Sequence, residues 1–113
     1  MSAPFAFPEN ITSLPLVDLP IPGVKAYLLQ GTASQSVFFD IPGGFHIPPH
    51  SHGTQWGIVI DGEIEMTIGD KTQMRKKGDS YHIPAGVVHS ATAAAPCRVL
   101  DVFFDPDRYK AKK

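Results

Sequence analysis

Cysteine is nearly absent from this chain: among 113 residues there is one, Cys97. A single thiol excludes any intrachain disulfide, and with it the disulfide-stapled class of small secreted domains. Cys97 lies in an apolar run and reads as a buried, inert thiol. Charge of one sign is lacking too. Ten Lys and Arg stand against eleven Asp and Glu, a net charge of −1, so there is no basic field to draw nucleic acid or an anionic membrane. Lys110, Lys112 and Lys113 read as a solubilising tail. No run approaches the roughly 18 apolar residues of a membrane span. The start has no basic stretch followed by an apolar one, and Pro4 and Pro8 interrupt it. The expectation is a cytoplasmic protein with neither a nucleic-acid nor a membrane partner. Long helical periods are also missing, because 11 prolines and 10 glycines cut the chain into short pieces.

What is present is a globular composition, 42% apolar and 19% charged, in a length that fits one domain. Segments of five to eight residues alternate apolar and polar between turns, the pattern of an all-β sandwich or barrel. Residues 1–12 look like an arm, 13–105 like the barrel and 106–113 like a tail that forms a helical turn or frays. Leu14 to Leu19 reads as an edge strand, where proline is tolerated. Strands are expected over Val24–Gln30, Ser34–Ile41, Thr54–Ile60, Glu63–Ile68, Thr72–Arg75, Ser80–Ile83, Val87–Ala95 and Cys97–Phe104. Asp61-Gly62 is a two-residue hairpin signal. An arm beside an open edge strand invites exchange between subunits, so a homodimer is expected.

The chemistry concentrates in His50-Ser51-His52 and, 37 residues beyond His52, His89. Residues i and i+2 of a strand project to one side, with Cα atoms roughly 6.5–7 Å apart. Two imidazoles so placed converge on one ion at about 2.0–2.1 Å from each nitrogen. A third histidine from a distant strand completes one face of a metal site.

The surrounding residues resemble the two motifs of the cupin superfamily. The first, G(X)5HXH(X)3–4E(X)6G, is matched by Gly44, His50, His52 and Gly62, with Gln55 where the family has Glu. The second, G(X)5PXG(X)2H(X)3N, is matched by Gly78, Pro84, Gly86 and His89, with Ala93 where the family has Asn. The resemblance covers most of residues 34–105 and implies a small double-stranded β-helix, the jelly-roll or cupin barrel. It implies one divalent transition metal ion (Zn, Fe, Ni, Mn or Cu) held by His50, His52, His89 and Gln55. With Gln in place of Glu the ion keeps its full charge, which favours a small anionic ligand that chelates it. Gln55, Gly57 and Val59 share one parity on their strand, and Gly57 is expected to leave room above the metal.

The last strand, Asp101-Val102-Phe103-Phe104-Asp105-Pro106-Asp107-Arg108-Tyr109, is similar to that of the uronate-linearising cupin of pectin and alginate degradation. The similarity implies acid/base or substrate work for Asp101, substrate contact for Phe103 and carboxylate binding for Arg108. A buried Asp in an apolar strand is costly unless it is paired or functional. The bland alternative for Asp101 is a bond to backbone or Arg98. His46 has the parity of His50 and is expected at the pocket mouth; His82 is a second candidate for substrate contact. Two classes of function remain open. One is a metal-dependent enzyme, performing isomerisation or ring-opening of a sugar acid or dioxygenase chemistry on an enolate. The other is a non-catalytic metal or small-ligand binding or sensing module. A storage or structural role without metal is a third reading.

Overall fold

The computed structural model describes residues 5–19 and 21–112. Residues 1–4 of the expected arm, including Pro4, and Lys113 of the tail lie outside the described residues. A short helix α1 (Glu9–Thr12) is followed by nine strands. These are β1 (Lys25–Gln30), β2 (Gln35–Ile41), β3 (Phe45–His50), β4 (Gln55–Asp61), β5 (Glu63–Ile68), β6 (Lys71–Lys76), β7 (Ser80–Ile83), β8 (His89–Ala93) and β9 (Cys97–Phe103). They form two antiparallel sheets, ordered β1-β2-β9-β4-β7 and β3-β8-β5-β6. This is the all-β class expected from the alternation, in the jelly-roll form that the resemblance implies. Among the described residues no helix is long and apolar enough to cross a membrane.

The inward positions follow period 2. On β9, Cys97, Val99, Asp101 and Phe103 are buried while Arg98, Leu100 and Val102 are partly exposed. On β4 the buried residues are Gln55, Gly57 and Val59, the parity read from the sequence. Between the sheets Ile41, Val59, Ile64, Ile83, Ala93 and Val99 form the core. Ala93, which replaces the family's Asn, is fully buried there. A second cluster (Val17, Ala26, Leu28, Val37, Phe103) closes the side near β1. Cys97 is fully buried and burial pushes its thiol up to about 11, which keeps it protonated and inert.

The Asp61-Gly62 hairpin does not form. β4 pairs with β7 and β9, whereas β5 pairs with β6 and β8. The turn at Gly62 is a corner where the chain leaves one sheet for the other. Gly62 has φ +79°, and a Cβ there would lie 2.7 Å from the Pro96 carbonyl oxygen, so only glycine turns this corner without strain. The two-residue hairpin is instead Gly69-Asp70, between the paired Ile68 and Lys71.

Leu14–Leu19 contributes only isolated bridges, Leu16 to Tyr27 and Val17 to Ala111. The segment after β9 runs back beside it. The Asp18 amide donates to the Lys110 carbonyl (2.9 Å) and the Lys112 amide to the Leu16 carbonyl (2.6 Å). The described part of the arm packs on its own sheet, with the Phe7 ring 6.2 Å from Tyr27 and 5.8 Å from Phe38.

Candidate metal centre

His50 closes β3 directly opposite His89, the first residue of β8. A β-bulge between Ile47 and His50 inserts one residue into β3 relative to β8. The bulge reverses the parity between His46 and His50. His46 therefore points outward, exposed, with its Nδ1 2.9 Å from the Thr92 hydroxyl. It does not line the pocket mouth, contrary to the reading from parity alone. His52 lies two residues beyond β3. The Gly86 amide donates to its carbonyl at 2.9 Å, which ties this loop to the turn that delivers His89. The Gly53 amide donates to Asp105 Oδ2 at 3.0 Å, and a side chain at Gly53 would collide with that carboxylate.

All three imidazoles are oriented in the same way. Nδ1 of His50 contacts the Pro48 carbonyl at 2.9 Å, that of His52 the Gly53 carbonyl at 2.7 Å and that of His89 the Val87 carbonyl at 2.9 Å. A carbonyl only accepts, so each Nδ1 carries the proton and each Nε2 keeps a lone pair. Ring centroids lie 4.2 Å (His50–His89), 4.7 Å (His52–His89) and 5.3 Å (His50–His52) apart. One potential ligand atom from each ring falls within 4.8 Å of the others. Two nitrogens on one ion sit at most about 4.2 Å apart, so small ring rotations close the set.

Burial lowers His52 to about 4, helped by the charge of Arg108, and also lowers His89. Neutral rings are the form that ligates metal. The His52 Nε2 is buried with no hydrogen-bond partner among the described residues. An unpaired buried acceptor is costly, and a cation at this point satisfies it. The donor set thus fits a divalent transition metal.

The opposite wall is built by β4, β7 and β9. Asp101 is paired with Gly57 in register, and Gly57 with Tyr81. The Tyr81 hydroxyl donates to Asp101 Oδ1 at 2.6 Å. A Cβ on Gly57 would run into both side chains, so this glycine makes room for the Asp101–Tyr81 pair rather than for space above a metal. Burial raises Asp101 to about 6, against hydrogen bonds from Tyr81 and Gln55 that pull it down. Burial also raises Tyr81 well above 10, so its proton stays on oxygen. Arg98 plays no part here; it pairs with Asp40 at 3.0 Å and Asp61 at 3.8 Å.

Phe103 is buried with its ring 5.6 Å from His52. The Arg108 guanidinium lies over the rings of Phe103 (5.3 Å) and Tyr109 (4.8 Å). The tail that carries it is clamped by Gln35, fully buried, which donates to the Tyr109 carbonyl (2.8 Å) and accepts from the Tyr109 amide (2.9 Å). The three histidines, Gln55, Asp101, Phe103 and Arg108 all line one pocket. His82 does not. It is exposed on the outer face of β7, because Tyr81 and Ile83 take the inward positions. Tyr81, Gln35 and Asp105 were not singled out from the sequence. Only contacts across strands distinguish them from other strand and loop residues.

A jelly roll with converging histidines at the mouth of its barrel defines a cupin. The chain belongs to that family: residues 37–103 match the family described as Cupin domain. Among curated proteins it is 31% identical over 91 residues to H2HPP isomerase of Bacillus subtilis, covering 79% of this chain and 38% of that protein. The chain therefore spans well under half the length of that relative. Among solved structures it is similar to KdgF from Halomonas sp. (25% identity, TM-score 0.72, covering 81% of this chain and 86% of that one). That match fits the resemblance to the uronate-linearising cupin. It is also similar to an RmlC-like cupin from Shewanella frigidimarina (24% identity, TM-score 0.76, covering 95% and 94%), a likeness of fold.

Proposed function

We propose that this cupin is a metal-dependent enzyme that isomerises or ring-opens a small anionic molecule able to chelate its ion. The observation that carries this reading is one pocket holding three backbone-oriented imidazoles, a buried carboxyl and a guanidinium. His50, His52 and His89 would hold the ion, with the Gln55 carbonyl oxygen as fourth donor. Zn, Fe, Ni, Mn or Cu are compatible with this donor set. When bound, the ion supplies Lewis-acid polarisation and lowers the pKa of a coordinated water.

The remaining chemistry belongs to the chain. Asp101, raised to about 6, takes or gives a proton near neutral pH, the property wanted of a general acid/base. The Tyr81 hydroxyl fixes which oxygen faces the pocket. Arg108, whose guanidinium lies against the rings of Phe103 and Tyr109, presents its planar donors to a substrate carboxylate. Phe103 supplies the wall between them. The name of the Bacillus subtilis relative, an isomerase, supports this reaction type. His46 and His82 have no role in it. A homodimer and a cytoplasmic location belong to the same proposal; the exposed Trp56 and Phe104 are apolar surface for the first, and the lone buried thiol supports the second.

Metal analysis of protein purified without added metal, alongside turnover of a panel of keto and sugar acids, tests the reading. Wild type is expected to retain about one ion per chain and His50→Ala none. Asp101→Ala is expected to keep the ion and lose turnover by about 100-fold or more. A ligand that stabilises wild type without being converted would identify a binding module instead.

A further inference from the structure

The three rings of the cluster are aimed by carbonyls, and those carbonyls are held unequally. Pro48, whose carbonyl receives the His50 ring, lies within β3, and His50 itself faces His89 in the ladder between β3 and β8. Val87, which receives the His89 ring, is fixed by a tight turn in which its own amide donates to the Pro84 carbonyl at 3.2 Å. Gly53, which receives the His52 ring at 2.7 Å, lies between β3 and β4, outside both ladders. Glycine has more backbone freedom to lose than any other residue, so this support needs a hold of its own.

Asp105 provides it. Its Oδ2 accepts from the Gly53 amide at 3.0 Å. The other end of the same peptide group, the His52 carbonyl, accepts from the Gly86 amide at 2.9 Å. The peptide between His52 and Gly53 is thus gripped from both sides. Asp105 is itself anchored by its neighbours. The Phe104 amide donates to the Thr54 carbonyl at 3.0 Å, and Gln30 Nε2 donates to the Pro106 carbonyl at 2.8 Å. A Cβ on residue 53 would collide with both carboxylate oxygens, so glycine is what lets the carboxylate approach. A bond from a backbone N–H to a carboxylate is among the stronger hydrogen bonds.

We infer that Asp105 is a positioning residue of the metal centre: through Gly53 it holds the His52 ring, leaving Nε2 free for the ion. This rests on the metal-centre reading above. Asp105 does not line the pocket; it acts through His52, whose buried Nε2 has no hydrogen-bond partner among the described residues. Without Asp105, His50 and His89 keep their own supports while the third ring is free to turn. Affinity for the ion then falls without the site being abolished.

Cobalt(II) titrated into metal-free protein, in competition with a chromophoric chelator and with its visible d–d spectrum recorded, tests the inference. Asp105→Ala is expected to weaken cobalt binding by about 10–100-fold and to alter the spectrum. Asp105→Asn, whose side-chain oxygen still accepts from the Gly53 amide, is expected to recover most of that loss. Gly53→Ala puts a methyl group in the place of the carboxylate and is expected to match Asp105→Ala. The double variant should bind no more weakly than either, because both changes remove one bond. A residue that serves only the fold would lower the melting temperature and leave the affinity for cobalt unchanged; that result overturns the inference alone, as does a loss that Asp105→Asn does not relieve. If Asp105→Ala does not fold, Gly53→Ala against wild type decides. Wild type that binds no cobalt overturns the metal-centre reading and this inference with it.

Discussion

Three Nδ1–H groups donating to carbonyls one or two residues away are the smallest device in this protein, and they aim every ring of the cluster. Such short-range bonds cost little chain entropy, so the site is largely preorganised by its own loops. Burial gives two side chains opposite dependences on pH. His52, lowered from 6.5 to about 4, stays neutral in the native state; its contribution to stability is complete above pH 6.5 and is lost as pH falls towards 4. Asp101, raised from 3.8 to about 6, stays protonated; its contribution is complete below pH 3.8 and is lost as pH rises through 6. Asp101→Asn should therefore gain on wild type between about pH 4 and 7.5, by on the order of 3 kcal/mol. His52→Gln should gain on wild type in the other direction, towards acid. Urea melts of metal-free protein at the two pH values measure both, and an equal offset at each pH would rule out titration in that window. At this scale His50, His52 and His89 were legible from their spacing. Tyr81 was not, because nothing local marks a tyrosine whose hydroxyl meets a carboxyl twenty residues away.

At the scale of elements, the clearest gap between sequence and structure is the segment after β9. Charged and short, it reads as a tail; in the fold it is a strap. Gln35 binds both backbone groups of Tyr109, and Gln30 Nε2 donates to the Pro106 carbonyl at 2.8 Å. The side-chain amide imitates a strand partner, and it holds Arg108 over the pocket. Gln35→Ala leaves the Tyr109 amide and carbonyl unpaired, a cost of about 1–3 kcal/mol. Hydrogen exchange should show the Asp18 and Lys112 amides, which bond across the strap, losing protection while the amides between β4 and β9 keep theirs. Unchanged exchange at Asp18 and Lys112 would mean that Gln35 does not hold the strap. The bulge in β3 and the corner at Gly62 belong to this scale as well. One turns His46 outward; the other converts a hairpin signal into a passage between sheets. Neither is encoded in a short window, because the same residues would satisfy either geometry until the partner strand is fixed.

For the molecule as a whole, the site lies where the sheets meet. His50 and His89 belong to the four-stranded sheet, while the loop bearing His52 leads into β4 and is pinned by Asp105 beyond β9. An ion held by all three would cross-link both halves of the barrel. Excess metal at about 100 times its Kd should raise stability by about 2.7 kcal/mol. Thermal melts should then show a chelator lowering the midpoint of wild type and leaving His50→Ala unmoved; equal melts in wild type with and without chelator would separate the cluster from the stability of the fold. The sequence by itself determined the all-β class, the inward parity of β4, the buried inert thiol and the three histidines, because each depends on alternation or spacing along one stretch of backbone. Only the tertiary structure decided that Gly57 shelters an Asp101–Tyr81 pair, that His46 and His82 face outward, and that the tail straps Arg108 over the pocket. Those outcomes depend on which distant strands pair and in what register, a choice made by burial summed over the whole chain rather than by any residue's neighbours.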